Sequence, residues 1–354
     1  MNGDTLTRMT ARIILGIESS CDETSAAIVS IDSDQLRVLS CRTAGQDDLH
    51  AEYRGVVPEI ASRAHLDRII PVIRGACADA GITLKEINGI AASHRPGLIG
   101  SLLVGTSTAK ALAWSLDIPF VGVDHVMAHL IAGLLDQTAL EWPAIGLVAS
   151  GGHTSLFRMQ SPLEAQLIGA TIDDAAGEAF DKAASILQLG YPGGAKLDAL
   201  AETGDANLIA LPMTRLKGGD FSFSGIKTAL ALAARDPKNA GRFADLAASF
   251  RKVVVAQIIR NLTLALDEHS APSCLIGGGV AANSHLRREV ASVCAERGVA
   301  LRIAELRWCT DNAAMIAGAG ALRIARGECD GWDLAAHPLS QVARGDRGAR
   351  RRSS

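Results

Sequence analysis

The sequence predicts an α/β protein of two lobes with a ligand cleft between them, and three observations carry that expectation. The chain has 354 residues, more than the roughly 250–300 at which a single hydrophobic core stops growing. Apolar residues make up 48% and aromatics only 4%, so the interior must be built from Ala, Val, Ile and Leu, the mix of buried strands and the helices that cover them. Finally, 13-IILGIESSCDETSAAIVSID-32 and 144-AIGLVASGGHTSLFRM-159 share one pattern. Each begins as an apolar strand, breaks at a small polar turn and resumes as a second strand, which reads as a duplicated hairpin whose tip exposes backbone N–H groups.

From the N-terminus, Met1 to Thr10 read as a dispensable leader, with Met9 a second possible start. After the first hairpin, helical periodicity runs over Leu66 to Ala80 and Gly105 to Ser115. The stretch DHVMAHL from Asp124 follows, placing His125 and His129 on one helix face. Beyond the second hairpin, helical patterns cover Ala175 to Leu187 and Phe243 to His269. The run 274-CLIGGGVAANSHLRREVASVC-294 reads as strand, triple glycine and a helix starting near Asn283, whose free N–H groups and positive dipole end face a ligand. A last helix near Asn312 to Arg326 precedes a basic end bearing Arg344, Arg347, Arg350, Arg351 and Arg352. No low-complexity linker separates the lobes, and the changeover is expected near residues 125 to 142. The first lobe is assigned 12–125 plus about 312–340 and the second 126–311, with 1–11 and the basic tail 341–354 expected to be disordered.

Composition excludes several classes. A formal charge of −3 and a pI near 6.3 rule out a uniformly basic surface, so a polyanionic partner needs a local patch or a helper subunit. The cysteines at 21, 41, 77, 274, 294, 309 and 329 include no C-x-x-C pair, which argues against a disulfide framework or thiolate zinc site and fits a reducing cytoplasm. The most apolar stretch, residues 98–116, carries Lys110 and many small polar residues. It is not a membrane span, and the N-terminus lacks a signal-peptide core.

Three glycine-bearing strand ends, at Gly151 and Gly152, Gly193 and Gly194, and Gly277 to Gly279, point to a bound phosphate or planar substrate. No P-loop and no dinucleotide-binding fingerprint is present. Asp174, Glu178 and Asp181 fall at i, i+4 and i+7, an acidic helix stripe that is either a solvated face or a cleft wall; Asp181 is the member preferred for ribose hydroxyls. The two histidines read either as polar tips of an amphipathic helix or as metal ligands. Val126 stands where a zinc peptidase needs glutamate, so a third ligand must come from elsewhere, and Asp311 in 309-CTDNAAMIAGAG-320 is the candidate. Two imidazoles and one carboxylate suit Fe(II) or Zn(II) with open positions.

Taken in order, GIESSCDETSAAIV, GVVPEIASRAH, PGLIGSLLVG, DHVMAHL, ASGGHT, DDAAGEAFDK, YPGG, FSFSGIKTA, GGGVAAN and CTDNAAMIA closely resemble the tRNA threonylcarbamoyl transferase family, over about Ile13 to Gly327. The resemblance implies a duplicated mixed-sheet, actin-like ATPase (sugar kinase and Hsp70) fold. It implies that His125, His129 and Asp311 hold one divalent ion, iron(II) first and zinc(II) second. It implies that Val148, Ala149, Ser150, Gly151, Gly152, Asp181, Gly194, Asp198 and Asn283 hold threonylcarbamoyl-AMP, whose acyl group passes to N6 of adenosine 37 in tRNAs reading codons that begin with A. The family acts with an inactive paralogous (TsaB-like) subunit and a small P-loop (TsaE-like) ATPase. Asp22 and Glu23, at the first hairpin tip, are candidates either to accept the amine proton or merely to cap a turn; Cys21 and Cys309 read as packing residues. Two departures stand out: 94-HRPGLIG-100 and 54-RGVVPE-59 both replace a glycine of the family pattern near the cleft rim. The rival readings are a small-molecule kinase of the same fold, a metallopeptidase and a non-catalytic binding subunit. The kinase has no use for the histidine pair, the peptidase lacks its glutamate, and the binding subunit would lack the metal ligands.

Overall fold

The computed structural model describes residues 11–53, 55–190, 192–216 and 218–341. The leader through Thr10, Arg54 and the five C-terminal arginines lie outside the described residues.

Strand β1 (Arg12–Glu18) runs antiparallel to β2 (Thr24–Asp32), which pairs in turn with β3 (Gln35–Ala44). The β2–β3 turn uses Ser33 and Asp34 at φ 48° and 65°, the left-handed pair that matches the twist of a tight hairpin. A single turn, α1 (Asp47–His50), leads into α2 (Pro58–Ala80). This helix starts earlier than its apolar periodicity indicated, because Pro58 supplies a preset φ in the first turn after extended Val57. Gly81, at φ 68°, closes it. Strand β4 (Gly89–Arg95), α3 (Ile99–Leu116) and β5 (Phe120–Asp124) complete a sheet ordered β3-β2-β1-β4-β5, with β4 parallel to β1 and to β5. Helix α3 also begins ahead of its periodic segment, its head carrying Gly100 and Ser101, weaker helix formers than the residues around them.

Helix α4 (His125–Ile131) follows β5 without a loop. The second sheet then repeats the first: β6 (Ala144–Ala149), β7 (Thr154–Ser161) and β8 (Glu164–Ala170) form an antiparallel meander. Helices α5 (Ala176–Ile186), α6 (Gly194–Ala201), α7 (Ser224–Arg235) and α8 (Phe243–His269) come next. Strand β9 (Ser273–Gly277), α9 (Ser284–Glu296) and β10 (Ala300–Ile303) follow, then α10 (Leu306–Cys309) and α11 (Ala313–Ala325). The order β10-β9-β6-β7-β8 places third, second, first, fourth and fifth strands side by side in both sheets, with the last two parallel to the first. This is the duplicated mixed-sheet architecture that the paired hairpins anticipated.

Strand β1 is apolar on both faces because both are covered. Leu15 and Ile17 pack with Ile69 and Ile73 of α2, whereas Ile14 joins a cluster with Ile316 of α11. Gly16 lets α11 lie directly on the strand, since a Cβ there would run into the backbone of Ala313 and Ala317. That cluster also takes in Ile131 of α4 and Leu147 and Ile276 of the second sheet, so one core joins the halves. Among the described residues no helix is long and apolar enough to cross a membrane.

Candidate active site

Helix α4 begins where β5 ends because Asp124 caps it, accepting from the N–H groups of Val126 at 3.0 Å and Met127 at 3.4 Å. One turn of helix then brings His125 and His129 together, ring centroids 4.7 Å apart. The third member arrives from the far end of the chain. Asn312 caps α11 by accepting from Met315 N–H, and this places the preceding Asp311 with Oδ1 3.4 Å from His125 Nε2 and 3.3 Å from His129 Nε2. The three ligand atoms lie within 4.8 Å of one another.

This donor set fits a divalent cation. At metal–ligand distances of about 2.1 Å, the edge of a tetrahedral site is about 3.4 Å, as between the carboxylate and each imidazole. His129 is wholly buried, and neither of its ring nitrogens has a hydrogen-bond partner among the described residues; its approach to Asp311 is close but out of hydrogen-bonding alignment. A buried, unsatisfied imidazole is costly unless something occupies it. Asp311 keeps one side toward the cleft, where a ligand can reach it.

The electrostatics are those of a cation site. Burial opposes ionisation of Asp311, yet the imidazoles of His125 and His129 hold its carboxyl well below the usual range. Burial likewise disfavours the charged form of His125, but Asp311 and Glu18 outweigh it and hold the imidazole well above its ordinary value. Glu18 was not picked out by sequence. Its Oε2 lies 2.9 Å from His125 Nδ1, and Ser20 N–H and Ser93 Oγ–H donate to its Oε1. The available signal was a lone carboxylate ending the buried apolar run from Ile14 to Ile17.

The cleft above the triad encloses about 1240 Å³. Of the predicted substrate residues, Ser150, Gly151, Gly152 and Asp181 line it, as do Asp22 and Glu23, together with His125 and Asp311. Ser150 fixes the β6–β7 tip: its N–H donates to the His153 carbonyl at 2.7 Å and its Oγ accepts from His153 N–H. The N–H groups of Gly151 and Gly152 make no hydrogen bond to another described residue, and no atom lies within 4 Å of where their Cβ would be. His153 sits in the same tip. Burial, and then the neighbouring imidazoles of His125 and His129, lower its pKa to about 4. At the opposite wall, burial and the nearby carboxylates of Asp311 and Asp22 push Glu23 well above the usual carboxylate range. Cys21, expected to be a buried packing residue, is only half-buried and lines the same cleft; its thiol is likewise pushed up by burial and Asp22.

Other predicted residues stand behind the walls. Val148 and Ala149 are the buried end of β6. Asp181 turns Oδ1 to the N–H groups of Gly193 and Gly194, at 2.9 and 3.0 Å, which uses Gly194 to position the carboxylate. Asp198 is held by Arg251 at 2.8 Å and by Asn283 Nδ2 at 2.8 Å. The start of α9 is satisfied within the chain: Asn283 Oδ1 accepts from Leu286 N–H and Asp198 Oδ2 from Ser284 N–H. The free helix end expected after the triple glycine is therefore occupied by these two side chains. The acidic stripe also needs correction. Residue Asp174 precedes α5, because Ala175 is extended, and its carboxylate accepts from Lys182 and Lys227 at 2.8 and 3.0 Å. Of the two departures from glycine, Arg54 lies outside the described residues, and Arg95 donates through Nε to His94 Nε2, whose Nδ1 contacts the Ala335 carbonyl and whose ring fills space beside Gly122.

Comparison with known proteins follows this geometry. Residues 37–318 match the family model described as tRNA N6-adenosine threonylcarbamoyltransferase. A relative of that name from Symbiobacterium thermophilum is 49% identical over 311 residues, covering 87% of this chain and 90% of its own. One from Sorangium cellulosum is 45% identical over 357 residues, covering 95% and 99%. Among solved structures, full-length HypF in its phosphate- and nucleotide-bound form superposes with a TM-score of 0.59 at 13% identity, over 93% of this chain and 47% of that one. Component A of the Acidaminococcus fermentans (R)-2-hydroxyglutaryl-CoA dehydratase gives 0.51 at 12% identity, over 89% and 99%. At such identities the likeness is one of fold, the actin-like ATPase fold.

Proposed function

The chain belongs to the tRNA N6-adenosine threonylcarbamoyltransferase family, and on that premise we propose that the interlobe cleft binds threonylcarbamoyl-AMP between the glycine tip and the histidine–aspartate triad. The activity is acyl transfer to tRNA: N6 of adenosine 37 attacks the carbamoyl carbon, a C–N bond forms, the bond from that carbon to the phosphate oxygen breaks, AMP departs and N6 loses a proton. The observation that carries this reading is the juxtaposition in one cleft of unpaired backbone N–H groups at Gly151 and Gly152 with the triad.

An aromatic amine is a weak nucleophile, so placement of the two reactants supplies much of the acceleration. The Gly151 and Gly152 N–H groups donate to the phosphate oxygens as negative charge leaves with AMP. Asp181, preset by Gly193 and Gly194, takes the ribose hydroxyls. Val148, Ala149, Gly194, Asp198 and Asn283 shape the nucleotide wall from behind. His125, His129 and Asp311 hold one divalent ion, iron(II) or zinc(II), which when bound supplies Lewis acidity to the threonylcarbamoyl group. Glu23 and Asp22 flank the acceptor side and are the candidate acceptors for the N6 proton. With a net charge of −3, the chain shares tRNA binding with a paralogous subunit and a small P-loop ATPase in the cytoplasm.

The test is reconstitution with those partners, threonine, bicarbonate, ATP, the adenylate-forming synthase and unmodified tRNA, followed by nucleoside mass spectrometry. Threonylcarbamoyladenosine should form with the unsubstituted chain and be lost in His129→Ala and Asp311→Ala. A kinase of this fold would instead phosphorylate a small molecule without tRNA.

A further inference from the structure

Most of the few aromatic side chains of this protein are buried, including Phe120, Phe157, Phe221, Phe223 and Phe250. Tyr53 is not: it is 56% exposed, in a single 3-10 turn, Ala51–Tyr53. The other exposed aromatic residues among those described, Trp114, Phe243 and Trp332, have no near chain neighbour in the cleft wall, whereas Ala51 and Gly55 on either side of Tyr53 both line it.

The turn is carried on an anchored loop. His50 is wholly buried beneath it. Its Nδ1 accepts from Val57 N–H at 3.3 Å and its Nε2 lies 3.2 Å from Gln46 Oε1, so one imidazole joins the two ends of the loop. Gln46, itself buried, donates through Nε2 to the Ala61 carbonyl of α2. An aromatic side chain, more than half exposed, is thus carried between two residues of the cleft wall.

We propose that Tyr53 is a stacking platform for an unpaired nucleobase of the anticodon loop beside the adenosine that enters the cleft. This inference rests on tRNA being the acceptor. Single-stranded loops are recognised largely by aromatic stacking on splayed bases, and Tyr offers such a face at low conformational cost. Asp47, Asp48 and Glu52 share the loop with Arg54, so the charge of this loop does not attract RNA and the contact would rest on the Tyr53 ring itself. Tyr53 therefore acts in substrate placement and has no part in the bond changes.

The test uses the full chain with its partner proteins, threonylcarbamoyl-AMP and an anticodon stem-loop RNA. For Tyr53→Ala the KM for RNA should rise roughly tenfold or more, with the KM for the adenylate unchanged, and Tyr53→Phe and Tyr53→Trp should stay within about twofold of the parent. Three results would overturn the proposal: an unchanged RNA KM in Tyr53→Ala, a Tyr53→Leu variant as good as Tyr53→Phe, or loss of partner-protein association with RNA affinity intact. If the unsubstituted chain modifies no adenosine, the transferase reading fails and takes this inference with it, a result distinct from the other three.

Discussion

Glu18 Oε2 lies 2.9 Å from His125 Nδ1, and both side chains are almost wholly buried. With Nδ1 directed at this carboxylate, His125 presents Nε2 to Asp311 and to any cation held there. Such outer partners fix ring orientation and raise the basicity of the ligand nitrogen. Glu18 itself is tied to Ser20 and Ser93, so the orientation of the ligand is inherited from the β1 and β4 strand ends.

Glu18→Gln should weaken metal affinity about 10- to 100-fold while leaving the circular dichroism spectrum unchanged. Competition with a chromophoric chelator measures it. Affinity equal to that of the parent would mean that His125 is oriented by other contacts.

His129→Leu separates metal binding from folding. Both His129 nitrogens are buried without a hydrogen-bond partner, a situation that costs about 1–3 kcal/mol per orphaned group and offsets the loss of the attraction to Asp311, so the metal-free variant should melt within a few degrees of the metal-free parent. Bound metal, by elemental analysis, and threonylcarbamoyladenosine formation should both be lost. A fall of several degrees in the metal-free melting temperature would contradict the assignment.

His153 gives an acid limb to stability. Its pKa is lowered to about 4 in the fold, against about 6.5 in the unfolded chain. Protonation therefore favours unfolding: the contribution of the neutral ring is complete above pH 6.5 and is lost as pH falls from 6.5 toward 4. The loss amounts to at most about 3 kcal/mol. Urea titrations across that window should show a shallower fall for His153→Gln, and imidazole NMR shifts should place the parent titration near 4.

Gly277→Ala should be strongly destabilising, on the order of 3 kcal/mol, because its Cβ would run into the His129 carbonyl. Denaturant midpoints measure the loss. Metal affinity should fall with it, since relief of the clash moves the ligand helix.

The fold was legible because both hairpins are local: each strand pair is joined by a short turn, and periodicity alone reveals them. Helix starts were less so. Pro58 begins a helix without adding to an apolar stripe, and Gly100 and Ser101 at the head of α3 are weak helix formers. At the site, His125 and His129 are visible as an i, i+4 pair, and Asp311 as a carboxylate at a helix start, but their meeting depends on α4 and α11 packing together. Glu18 was hidden because nothing local distinguishes a ligand-orienting carboxylate from a strand end. The reach of Asp198 and Asn283 toward one another, across a sequence separation of 85, is a tertiary fact of the same kind. Asp174 shows the converse failure, since charges at helical spacing were read through an N-terminus set by Ala175.

The triad also has a mechanical meaning. His125 and His129 belong to the segment by which the chain leaves the first sheet, and Asp311 to the segment by which it returns. A cation held by all three would pin those two crossings to one another, so the distances within the triad report directly on how the two halves of the chain are joined.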